Sequence, residues 1–156
     1  MKFWETLESL ESNPKVLELK NYSHHKVGRF WHCHNVAVYS FYLSQRWDWK
    51  VDMETLAVGA MLHDYYFYER KESGMNDYEH AIQHPRIALC NAQRDFQLNE
   101  KEKNIILSHM WPFPFSAMPE CREAVLVGMA DKYCAYQEMK NGVVHIENIV
   151  RRKANF

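Results

Sequence analysis

From Phe30 to about Trp47 the chain carries no proline or glycine, and His32, Val36, Tyr39 and Leu43 recur at the spacing of one helix face. That pattern predicts a long buried helix. An earlier helix is predicted from Phe3 to Ser12, with Phe3, Leu7 and Leu10 on one side; Asn13-Pro14 ends it or starts a short one through Lys20. The stretch Asn21 to Arg29 is polar, holds His24, His25, Lys26 and Gly28, and reads as a loop. Asp52 is placed to cap a helix whose apolar side, Leu56, Ala57, Ala60 and Met61, runs up to His63-Asp64. The charged segment Glu69 to Asn76, with Gly74, reads as an exposed connection.

Pro85 suits the first turn of a helix through about Phe96, which would put His84 at its N-terminal edge. Asn99 caps a helix from Glu100 to Met110, and the two prolines of Trp111-Pro112-Phe113-Pro114-Phe115 require an ordered aromatic loop. This loop is expected to pack as a hydrophobic lid or to wall a pocket. Pro119 opens the longest later helix, through about Lys140, with Ala124, Val127, Gly128, Asp131 and Cys134 sharing a face. Asn141-Gly142 stops it, and an amphipathic turn or two follows from Val144. The expectation is an all-α bundle of about six or seven helices, forming one domain over residues 1–156.

Composition narrows the function classes. A chain of 156 residues that is 47% hydrophobic and 14% aromatic can bury one substantial core. With 19 Lys plus Arg against 20 Asp plus Glu, the net charge of -1 exerts no long-range pull on nucleic acid or an anionic membrane, and neither is expected as a partner. Cys33, Cys90, Cys121 and Cys134 are scattered without a CxxC pair, so neither a disulfide framework nor a zinc knuckle is expected. Acidic residues interrupt the first apolar positions, and no run approaches the roughly 20 residues of a membrane span. A reducing cytoplasm is the expected location. The five glycines never cluster into a phosphate-cradling loop.

The chemistry begins at His63-Asp64, which ends the apolar stretch Leu56 to Leu62. An imidazole and a carboxylate are costly to bury there unless paired or ligated, although a hydrogen-bonded helix end would also satisfy them. His32 shares a stripe with Val36 and Tyr39, and Asp131 interrupts the apolar run that begins at Val125. Four groups of metal-ligand type on three apolar helices point to one cation that offsets their desolvation.

The order His32, then His63-Asp64, then Asp131 resembles the HD superfamily of metal-dependent phosphohydrolases, whose pattern is H, HD and D on separate helices. His32-Cys33-His34-Asn35-Val36-Ala37 resembles the first-helix pattern, and Gly59-Ala60-Met61-Leu62 the small-apolar run before the pair. Ser108 to Pro112 and Ala130 to Cys134 are similar to segments of a bacterial subgroup of HD-domain proteins; the resemblance spans about Tyr22 to Glu138. It implies that His84 and His109, which fall in order between the pair and Asp131, hold a second metal. From the residues alone, His84 also reads as a helix cap and His109 as a surface group near a helix end. His80, four before His84, would be its neighbour only if the helix reached back that far. His34 points away from His32 and has Val38 and Phe41 on its own face, so periodicity alone barely separates the two; the Val36-Ala37 spacing of the family pattern favours His32 and leaves His34 to pack or face solvent.

The resemblance implies a metal ligand set of His32, His63, Asp64, His84, His109 and Asp131, with Asp64 bridging. The metal is one or two divalent ions, Fe or Mn favoured, with Zn, Co, Ni or Mg also compatible. A metal-activated hydroxide would attack a phosphate ester, possibly a nucleotide, while a cationic side chain supports the developing charge. Asp64, His84 and His109 are the expected catalytic residues; with a single metal, His84 and His109 would remain near the pocket as a proton donor and a phosphate contact. Many family members follow the pair with Ile-Gly-Lys, where Tyr65-Tyr66-Phe67-Tyr68 stands here, so a phosphate contact is expected from His25, Lys26, Arg29 or Lys132. A di-iron oxygenase and a non-catalytic nucleotide-sensing domain are the competing classes, and a homodimer is left open.

Overall fold

The computed structural model describes residues 2–24 and 26–154. Among them are eight α-helices: α1 (Lys2–Glu11), α2 (Pro14–Leu17), α3 (Arg29–Arg46), α4 (Met53–Leu62), α5 (Asp77–Asp95), α6 (Glu100–Ser108), α7 (Arg122–Asn141) and α8 (Ile146–Ala154). The all-α expectation is met. The count exceeds it because Asn13, whose side chain accepts from Lys15 N at 2.9 Å, caps a four-residue helix at Pro14 instead of merely ending α1.

α3 lies at the centre and packs on α7, α4 and α8. Its apolar stripe extends almost all round, with Phe30, Cys33, Val36, Ala37, Val38, Tyr39 and Leu43 buried. α1 lays Phe3, Leu7 and Leu10 against α4, a burial of about 2 kcal/mol for each side chain. α6 bridges α4 and α7, and α5 packs on α6. The approach of α4 to α6 needs a glycine, because a Cβ at Gly59 would stand 2.4 Å from Ile105 Cδ1 and 2.9 Å from its Cβ.

Two local readings are corrected. α5 starts at Asp77, eight positions before Pro85, under a capping box in which the Asn76 side chain accepts from Glu79 N and Glu79 accepts from Asn76 N. That cap outweighs proline's preference for a first turn, so Pro85 lies inside the helix and His84 in its middle, one turn beyond His80. The polar stretch after Asn21 is not all loop: β1 (Ser23–His24) pairs antiparallel with β2 (Val27–Gly28), His24 opposite Val27.

The segment after α4 holds a single 3-10 turn, Arg70–Glu72, in a largely exposed connection. In the aromatic loop Phe113 and Phe115 are exposed, so it is not packed as a lid, and it does not line the cavity described below. No helix among the described residues is long and apolar enough to cross a membrane.

Candidate metal centre

The ends of α4 and α6 use one device. His63 and His109 are each the residue that closes its helix, where the last carbonyls lack partners. His63 Nδ1 donates to Ala60 O and His109 Nδ1 to Ile106 O, each at 2.7 Å. His84, within α5, does the same to His80 O at 2.7 Å. A carbonyl can only accept, so each ring carries its proton on Nδ1 and turns the Nε2 lone pair inward. His32 is fixed by a carboxylate instead: its Nδ1 lies 2.8 Å from Glu138 Oε2.

All four Nε2 atoms face Asp64. Its Oδ1 is 3.2 Å from His84 Nε2 and 3.3 Å from His109 Nε2. Its Oδ2 is 3.6 Å from His63 Nε2 and 3.8 Å from His32 Nε2. Asp131 Oδ1 completes the second side, 2.9 Å from His32 Nε2 and 3.5 Å from His63 Nε2. Four overlapping groups of potential ligand atoms, each within 4.8 Å, therefore meet here: His24, His32 and Glu138; His32, His63 and Asp64; His63, His109 and Asp131; Asp64, His84 and His109.

The residues fit a divalent metal by a test independent of spacing. His84 Nε2 and His109 Nε2 stand 2.9 Å apart although each ring already spends its proton on a carbonyl. Two lone pairs at that distance repel unless a positive charge lies beside them. His63 Nε2 and Asp64 Oδ1 are likewise buried without a well-formed hydrogen bond. With protons alone to neutralise the carboxylates, burial would lower the pKa of His32, yet the bonds to Asp131 and Glu138 raise it to about 10. Burial would raise the Asp64 pKa, but His63, His109 and His84 hold it well below the usual carboxylate range. Asp131 is also held well below it, burial being outweighed by His32 and His63. A mixed imidazole and carboxylate set without thiolate is one that divalent transition metals take.

The six expected ligands thus converge. The expected phosphate contacts divide. Lys132 lines the cavity beside the centre, its Nζ donating to His109 O at 3.1 Å and Gly128 O at 3.2 Å. Burial lowers its pKa. Lys26 is exposed and does not line the cavity. His25 lies outside the described residues. Arg29 is corrected: it is fully buried, with Nη1 bonded to Tyr66 O at 2.6 Å and Nη2 to Ser23 O at 3.1 Å and Tyr68 O at 3.0 Å. Its guanidinium lies 3.6 Å from the Tyr66 ring centroid, so it stitches the hairpin to the segment after α4 instead of facing a substrate.

Two residues, Glu138 and His24, escaped the sequence reading, and a third, His80, was placed beside His84 only on condition that the helix reached back to it. Glu138 is seven beyond Asp131 on α7, a same-face spacing that was available as a signal. His80 becomes the neighbour of His84 once the Asn76 to Glu79 capping box is read. His24 gives no local signal, because strand pairing brings it in: its ring stacks on His32 at 3.6 Å between centroids, with Nε2 3.4 Å from Asp64 Oδ2.

Above the centre opens a cavity of about 700 Å³, walled by Ser23, His24, Tyr66, His80, His84 and Lys132 among others. Arg70, Lys71, Glu69, Glu72 and Asp77 edge it. The sequence matches the HD domain family over residues 29–136. The chain belongs to that family, whose members are in general metal-dependent hydrolases. Comparison with curated proteins and with solved structures gave no match.

Proposed function

We propose that the protein is a metal-dependent phosphohydrolase acting on a small phosphate ester of about nucleotide size. The observation that carries this reading is the shared carboxylate: Asp64 turns Oδ1 to His84 and His109 and Oδ2 to His32 and His63. Two ions, Fe or Mn favoured, would be held there, one by His32, His63, Asp131 and Asp64 and the other by His84, His109 and the same Asp64. When bound, such ions supply Lewis-acid activation of water and neutralise phosphoryl oxygens.

The chain's own groups do the rest. The three carbonyl bonds fix the imidazoles before substrate arrives, so no reorganisation is needed on binding. Lys132, anchored by two carbonyls, has a third N–H for a phosphoryl oxygen. The cavity lies within the roughly 300–1,000 Å³ of small-molecule sites and leaves room for more than a phosphoryl group.

The test is release of inorganic phosphate from a panel of nucleotides and sugar phosphates by protein loaded with Mn or, anaerobically, Fe. Wild type should turn over at least one and bind two metal equivalents. Asp64→Asn should lose about 1,000-fold in turnover, on the scale of removing a preorganised electrostatic group, together with bound metal. Absence of phosphate release from every ester by fully loaded protein overturns the reading.

A further inference from the structure

Two of the ligand histidines each carry a second imidazole. His24 stacks on His32, centroids 3.6 Å apart and planes 14° apart; His80 stacks on His84, centroids 4.7 Å apart and planes 17° apart. Both outer rings line the cavity. A metal binds an imidazole nitrogen along its lone pair, in the ring plane. The planes of two such nearly parallel stacked rings meet only well beyond the length of a metal–nitrogen bond, so neither outer ring can share the ion of the ring beneath it.

His80 is 7% exposed, and its Nε2 is buried without a hydrogen bond. Such a group costs free energy unless something supplies a partner. Its ring is held firmly, with Tyr66 at 5.6 Å and 70° and Tyr68 at 5.9 Å and 83° against it. His24 is held by the hairpin, with Nδ1 3.5 Å from Glu138 Oε2 and Nε2 on the Asp64 side. His80 thus stands at the cavity floor as a fixed polar edge that the metal does not use, whereas both nitrogens of His24 already face carboxylates of the ligand set.

We propose that His80 is a phosphoryl-contacting residue rather than an additional ligand, hydrogen-bonding a phosphoryl oxygen seated on the cavity floor. The assignment rests on the phosphohydrolase reading above. It gives the substrate's anionic group a contact from α5 as well as from Lys132 on α7, so the group is gripped from two elements.

The experiment uses metal-loaded protein with inorganic phosphate as the probe, calorimetry for affinity and elemental analysis for metal. His80→Phe keeps a stacked ring and removes both nitrogens. It should weaken phosphate binding about 10-fold or more, the scale of a hydrogen bond to a charged group, with metal stoichiometry unchanged. His80→Gln, which restores an amide N–H near the Nε2 position, should recover much of the affinity; a merely structural ring would not give this rescue. Loss of a metal equivalent in the Phe variant would make His80 a ligand and overturn the proposal. Unchanged phosphate affinity with full metal would overturn it too, while wild-type turnover stood. If wild type neither binds phosphate nor hydrolyses any ester, the phosphohydrolase reading falls, and this assignment with it.

Discussion

The floor of the cavity and its rim are built by different means. On the floor, backbone carbonyls at helix ends and within α5 fix His63, His109 and His84, and Glu138 fixes His32. On the rim, Glu69 accepts from Ser23 N at 2.9 Å and from Ser23 Oγ at 2.6 Å, while Arg29 gathers the carbonyls of Ser23, Tyr66 and Tyr68. The floor is set by helix geometry, the rim by one buried cation and one half-buried carboxylate. A site assembled this way can keep its metal chemistry while its substrate mouth changes.

That separation predicts the outcome of substituting Arg29. Arg29→Ala leaves three carbonyls without their donor and should cost about 3 kcal/mol in denaturant unfolding. Arg29→Lys should recover only part, since an ammonium cannot reproduce the fork. Metal stoichiometry should stay at the wild-type value in both. Metal loss parallel to the loss of stability would show floor and rim to be one unit and break the comparison.

Glu138→Gln attacks the floor alone. An amide is a poorer acceptor than the carboxylate for His32 Nδ1–H, and such outer partners are worth roughly 10–100-fold in metal affinity. Competition with a chelator should read that loss while the melting temperature of the metal-free protein changes little. Equal metal affinity in Glu138→Gln and wild type would remove Glu138 from the support of the centre.

The smallest effect is expected at His34, which faces away from the site. Its Nδ1 is hydrogen-bonded to Glu11 and its Nε2 lies 3.4 Å from Glu147 Oε1, tying α3 to α1 and α8. Burial would lower its pKa, but the two carboxylates raise it above the ordinary 6.5. The folded state therefore holds this proton more tightly than the unfolded one. Its contribution is complete below about pH 6.5. It fades as pH rises through the raised folded value. His34→Gln should cost about 1 kcal/mol near pH 6 and less near pH 9, with metal content unaffected. A deficit that grows with pH would reverse the assigned sign.

The same division governs what the sequence could disclose. His63, Asp64 and Asp131 were legible because each is a polar residue where an apolar run demands a core side chain. His32 and His84 required the family pattern as well, since periodicity alone barely separated His32 from His34, and Pro85 masked the true start of α5. Arg29 was misread because a basic residue before a ligand helix looks the same whether it meets a phosphate or three carbonyls. His24 was illegible, since a two-residue hairpin has too few positions to show alternation. Floor residues answer to helical period, whereas rim residues answer to pairings between segments that no local window contains.

Gly59 carries a consequence for how the chain tolerates variation. It touches no ligand atom, yet it lets α4 and α6 meet, and these helices end in His63 and His109, whose ring centroids are 4.9 Å apart. Even alanine there would have to displace Ile105, altering the gap between two helices that each aim an imidazole at one carboxylate. In a saturation library screened for retained metal, position 59 should therefore be nearly as intolerant as the ligand positions themselves. Exposed Lys26, by contrast, should accept most replacements. Selection for a metal would then be written into a residue with no side chain at all.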